Sequence, residues 1–129
     1  MVRKPRTAGS SQVEAYCRSK PEIAVSTPFG PEPLVFKVVG KMFALLGHLD
    51  GEPVVSLKCD PEHGAILRAT FPTIRPGYHL NKQHWNTLTL DGSLPPALVF
   101  ELVDDAYDLV ASSKRPPKTR PRKRRPLAR

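Results

Sequence analysis

No stretch of this sequence holds about 18 or more consecutive apolar residues, so no membrane-spanning helix is readable in it. The opening MVRKPRTAGSS is basic but is followed by no apolar run, which argues against a secretory leader and for a soluble, cytoplasmic protein. Cysteine is scarce. Cys17 and Cys59 lie far apart, neither belongs to a CxxC pair, and reduced, partly buried thiols are expected in place of a disulfide scaffold or zinc knuckle. Acidic residues are missing from both ends. Residues 1–10 carry Arg3, Lys4 and Arg6 with no acid, and residues 114–129, KRPPKTRPRKRRPLAR, carry nine cations with none. Residues 11–113 hold 8 basic and 12 acidic side chains, so the net charge of +8 is terminal and the body is mildly acidic.

What is present fits one core. With 129 residues and about 40% hydrophobic composition, a single globular unit over residues 11–113 is expected. A short basic segment, 1–10, and a proline-broken basic tail, 114–129, flank it, and both are expected to be disordered. Ser11 and Glu14 have capping-box spacing, and Val13, Tyr16 and Cys17 follow on one helical face to about residue 19. Four prolines between residues 20 and 33 read as loop. Residues 34–39, 41–46 and 54–58 read as strands of an antiparallel meander, with a tight turn at Gly40 and a longer loop over 47–53.

Asp60, Pro61 and Glu62 form a helix start, and Pro72 closes that helix after about residue 70. Two extended segments follow at 78–80 and 85–90. Leu98, Leu102, Val103, Ala106, Tyr107 and Val110 then recur at helical spacing within 94–112, with Ser93 as cap and Glu101, Asp104, Asp105 and Asp108 as a solvated face. The pattern predicts an α+β fold, an antiparallel sheet of about five strands with helices packed on it.

The segments FKVVGKMFALL, SLKCDPEHGAILR, PGYHLNKQHWNTLTLDGSLP and ELVDDAYDLV, in this order, resemble the MmcQ/YjbR family of small bacterial proteins. The resemblance covers roughly residues 11–112, and its most specific part is GKMFALL combined with NKQHW. It implies a compact two-layer fold similar to that of CyaY and of secretion chaperones. It also implies a DNA-binding label with hairpin loops arranged as two wings, and it implies no catalytic activity.

Within NKQHW, a binding reading has Lys82 meeting a phosphate, Asn81 and His84 donating hydrogen bonds, and Trp85 stacking on a base or filling a pocket. An equally physical alternative makes Asn81 a turn residue, Lys82 solvated, His84 bonded to backbone and Trp85 a core anchor. His79 and His84 are five residues apart and His63 lies near Cys59, spacings that do not suit a metal, so no metal or cofactor is expected. There is no GxSxG and no phosphate-cradling glycine loop, and the expectation is a non-enzymatic protein.

The tail carries the clearest functional signal. Lys114, Arg115, Lys118, Arg120, Arg122, Lys123, Arg124 and Arg125 suit an arm that tracks DNA phosphates without reading bases. Lys37, Lys41 and Lys82 are the candidate additions from hairpin loops. A protein-interaction or chaperone-like module is the alternative, and a small-ligand sensor with a pocket near Tyr78, His84 and Trp85 is a third reading.

Overall fold

The structure is a computed structural model that describes residues 7–113; the two basic termini, 1–6 and 114–129, lie outside the described residues. Three helices and six strands occur among the described residues. In chain order they are α1 (Ser10–Arg18), β1 (Ile23–Ser26), β2 (Leu34–Val38), β3 (Lys41–Leu49), β4 (Glu52–Lys58), α2 (Pro61–Thr70), β5 (Ile74–Pro76), β6 (Trp85–Thr89) and α3 (Pro96–Ser112). The strands form one antiparallel sheet in the order β1-β2-β3-β4-β6-β5. The expected α+β class is therefore observed, with one strand more than the sequence predicts.

Alternation along the strands decides which side chains meet the helices. Phe36, Ala44, Leu46, Val55, Leu57 and Leu88 enter the main core, where they join Val13 and Cys17 of α1 and Val99, Phe100, Val103 and Ala106 of α3. Phe36 pairs with Ala44 but Lys37 pairs with Met42, so Phe43 is an extra residue that bulges β3 and still faces the core. Val35, Val54 and Trp85 are equally buried yet stand outside that cluster, because they belong to the opposite face of the sheet.

Several local expectations give way to other contacts. β1 lies inside the supposed loop 20–33; Pro21 and Pro28 flank it, and it is an edge strand, where proline at either end costs no ladder bond. β5, not residues 78–80, pairs with the outer side of β6, and it too is an edge strand, ending on Pro76. The loop expected over 47–53 is instead a two-residue turn: β3 runs to Leu49, and Asp50 and Gly51 take φ of 55° and 83°, the mirror-image turn that suits strand twist.

Neither expected serine cap forms. Gly9 caps α1 without a side-chain bond, and Glu14 pairs with Arg18 at 2.8 Å. Pro95 precedes α3, while the Ser93 hydroxyl lies 2.9 Å from that of Thr73. Asp60 does cap α2, its carboxylate accepting from the His63 backbone N–H at 3.1 Å.

The acidic side of α3 is also more than a solvated face. The Tyr16 hydroxyl donates to Asp104 Oδ1 at 2.9 Å, and Lys20 Nζ bonds the same carboxylate oxygen. Lys20 also sits 5.0 Å and 5.5 Å from the ring centroids of Tyr16 and Tyr107. Burial, with Asp104 as neighbour, pushes the Tyr16 hydroxyl pKa up to about 12. Asp104 thus fastens the first helix to the last.

Candidate functional site

Antiparallel pairing gathers distant segments at the two ends of the sheet. β3 starts beside the end of β2 (Lys41 opposite Val38), and β6 starts beside the end of β4 (Trp85 opposite Lys58). One end therefore carries the Val39–Gly40 turn, the β4–α2 junction and the loop 77–84. The α1–β1 junction reaches the same end, since Ile23 is opposite Val38, so Lys20, Lys41, Lys58 and Lys82 belong to it together with Glu22, the capping Asp60 and Glu62. Lys41 Nζ lies 3.4 Å from the hydroxyl of Ser113, the last described residue, so the chain leaves the domain at this end. The other end carries the segments 27–33, 50–51, 71–73 and 90–95. Glu32, Asp50, Glu52 and Asp91 are there, and none of those segments contains a lysine or arginine.

The NKQHW residues do not converge on a site. Asn81 Oδ1 accepts from the backbone N–H of Gln83 at 2.9 Å and of His84 at 3.1 Å, which makes it a turn former. Lys82 Nζ donates to the Gly77 carbonyl at 2.8 Å and so ties the two halves of the loop together. His84 is exposed, and its carbonyl accepts from Cys59 N–H at 2.8 Å. Trp85 is 5% exposed, with Lys58 Nζ 5.4 Å from its ring centroid. Of the turn-and-anchor alternative, Asn81 as a turn residue and Trp85 as a buried anchor are observed, whereas Lys82 is bonded to a carbonyl and it is the His84 main chain that makes the backbone bond. Gly77 is part of the same loop: a Cβ there would meet Trp85 Cβ at 2.6 Å, so only glycine lets the loop lie so close on β6.

Of the remaining sequence candidates, Lys37 sits in β2 opposite Ala24 and Met42, and Lys41 stands at the hairpin tip. The residues from Lys114 to Arg125 lie outside the described residues. Among the described residues no three of His, Cys, Asp and Glu come together in a group that could hold a metal ion. Burial pushes the Cys17 thiol up to about 12 and raises that of Cys59, so neither is set up as a thiolate nucleophile.

One site was not legible in the motifs. On the face of the sheet opposite the main core, the loop 27–33 and residues 78–80 stand as two margins. Between them runs a groove of about 410 Å³ whose floor includes Met42, Leu45 and Val54. At Gly47 the first loop presses on β3: a Cβ would meet Glu32 Oε1 at 3.2 Å and Pro33 Cβ at 3.4 Å. His48 Nδ1 lies 2.9 Å from Glu32 Oε2. On the other margin the Tyr78 backbone N–H donates to Thr87 Oγ1 at 3.1 Å, which folds that loop back over the sheet. The Tyr78 ring stands 4.0 Å from that of His79, whose φ of 60° is left-handed. Of the pocket expected near Tyr78, His84 and Trp85, only Tyr78 lines this groove.

The family model that matches the chain is YjbR, over residues 18–109. The Escherichia coli O157:H7 protein YbdF is 40% identical over 90 residues, which cover 70% of this chain and 74% of YbdF. YjbR of Escherichia coli strain K12 is 39% identical over 97 residues, covering 75% and 82% of the two chains. The crystal structure of Deinococcus radiodurans protein DR2400 superposes with a TM-score of 0.79 at 38% identity, over 90% of this chain and 88% of that one. The match includes the loop 77–84 and every strand and helix except most of α1 and the end of α3, and on these grounds the chain belongs to the YjbR family.

Proposed function

We propose that this is a non-enzymatic cytoplasmic protein that binds DNA largely without sequence preference. Its C-terminal arm, residues 114–129, supplies most of the affinity, and the lysine-bearing end of the sheet supplies the rest. The observation that supports this reading most directly is the 3.4 Å approach of Lys41 Nζ to Ser113. In sequence the nine cations of the arm follow Ser113, whose end of the sheet carries Lys41, Lys58 and Lys82 along with Glu22, Asp60 and Glu62, while the other end carries four acids and no lysine or arginine. A polyanion is thereby drawn to one end of the domain and repelled from the other.

Within the domain, Lys41 at the hairpin tip is the first candidate for a phosphate contact, and Lys37 behind it the second. Lys82 contributes less, because engaging a phosphate means releasing the Gly77 carbonyl. A basic protein partner would have to use the acidic side of α3, where Asp104 is already engaged by Tyr16 and Lys20.

The test is fluorescence anisotropy of a labelled random-sequence duplex over a salt series, with the full chain and with a chain ending at Ser113. If about six cations engage phosphates, the full chain shows a log–log slope of about −5. Truncation should weaken binding by about tenfold or more at physiological salt and flatten the slope. Equal affinity for the two chains would refute the arm.

A further inference from the structure

We propose that the groove on the face of the sheet opposite the main core is a binding site for a small, flat organic cation, an ammonium carried on an aromatic or otherwise apolar body. The volume of about 410 Å³ is that of a small-molecule site. Four large hydrophobic side chains are conspicuously exposed among the described residues, and two of them, Phe29 at 64% and Tyr78 at 51%, stand on the opposite margins of this groove. Single exposed apolar residues are ordinary, but two aromatics from separate loops bordering one apolar floor form a patch of the kind that marks binding surfaces.

The charge of the lining selects the ligand. Glu32 is its carboxylate, and no lysine or arginine lines the groove. That carboxylate is half exposed, with Oε2 beside His48 Nδ1 and Oε1 near Gly47. Ring faces and a carboxylate both attract an ammonium group and disfavour an anion. Asp50, in the turn that follows Leu49 of the lining, and Glu52, the first residue of β4, add a field of the same sign. The site thus takes a ligand of the opposite charge to DNA, and it stands independently of the DNA-binding reading.

Three probes of one shape and different charge test this: naphthylmethylamine, naphthylmethanol and naphthoate. Each is titrated at neutral pH into nucleic-acid-free full chain, with affinity read only from the NMR shifts of the Gly47, His48, Tyr78 and His79 amides. The ammonium should saturate these shifts and bind at least about fivefold tighter than the alcohol, with naphthoate weakest. In Glu32→Gln the ammonium should fall to within about twofold of the alcohol, and in Tyr78→Ala all three should weaken. Absence of saturable shifts at these amides, equal binding of ammonium and alcohol, or preference for naphthoate would overturn the proposal. The wild-type ranking decides this even where a variant fails to fold.

Discussion

Replacing Gly77 with alanine tests whether the NKQHW loop is built around the contact described above. Gly77 does not occupy the left-handed region, so alanine can adopt its backbone and the cost is steric. The new Cβ would stand 2.6 Å from Trp85 Cβ and 3.2 Å from both Leu80 Cβ and the Trp85 carbonyl oxygen. Carbon atoms pack best at about 3.5–4.0 Å, so about 1 Å of movement is required. β6 cannot easily supply it, because Trp85 is paired to Lys58 on one side and accepts from the Gly77 N–H at 2.9 Å on the other. The loop must lift, and the Gly77–Trp85 bond is lost.

Overpacking of this kind costs about 1–3 kcal/mol and the hydrogen bond about 1 kcal/mol, offset by about 0.4–1 kcal/mol from the stiffer unfolded chain. The net destabilisation is about 1–3.5 kcal/mol. Trp85, the lone tryptophan and 5% exposed, reports unfolding by its own fluorescence. With a urea m-value of about 1.5 kcal/mol/M, the midpoint should drop by about 0.7–2.3 M. A midpoint within about 0.3 M of wild type would refute the close-approach argument. Under folded conditions Gly77→Ala should keep its duplex affinity, because the arm is untouched; a tenfold loss would make the loop 77–84 the contact surface instead.

Asp104→Ala should cost about 1–3 kcal/mol in chemical denaturation, below the figure for a fully buried pair because Lys20 and Asp104 retain 18% and 29% side-chain exposure. Asp104→Asn should cost less, since an amide oxygen can still accept from Tyr16, and an alanine variant as stable as wild type would show that the α1–α3 tie does not hold. Asp105 tests pH dependence: partial desolvation raises its pKa, Glu101, Asp108 and Asp104 add to the shift, and His63 opposes it. A carboxyl raised in the folded state favours folding when protonated, and that contribution disappears as pH rises through its folded pKa. Asp105→Asn should therefore raise the melting temperature at neutral pH by more than it does well below the carboxylate range, and an equal effect at both pH values would contradict this.

The parts of the fold legible in the sequence were those with long or unambiguous patterns. The spacing of Leu102, Val103, Ala106 and Val110 located α3, and Asp60 with Pro61 located the start of α2. The edge strands β1 and β5 were hidden because prolines bracket them, and an edge position, which makes proline tolerable, is a property of the whole sheet. The serine caps failed for a related reason: the Ser93 hydroxyl found Thr73, twenty residues upstream, and no local pattern reports that contact. Asp104 was misread in the same way. Its helix spacing is that of a solvated face, and its partners arrive from α1 and the residue Lys20 beyond it.

The groove was illegible for a deeper reason, one that bears on how the two proposals relate. Its lining comes from the loop 27–33, from β3 and β4, and from residues 78–80, and no pair of these segments forms a motif. What unites them is topology. Antiparallel order brings the acids of 27–33, 50–51 and 90–95 to one end of the sheet, and sends α3 and the chain leaving it toward the end that holds Lys41. The same ordering therefore gathers acids at one end of the groove and sets Lys41 and the exit of the chain at the opposite end of the sheet. If both proposals hold, salt should weaken duplex binding steeply and naphthylmethylamine binding only modestly, because one involves many cations and the other a single carboxylate at a partly enclosed site.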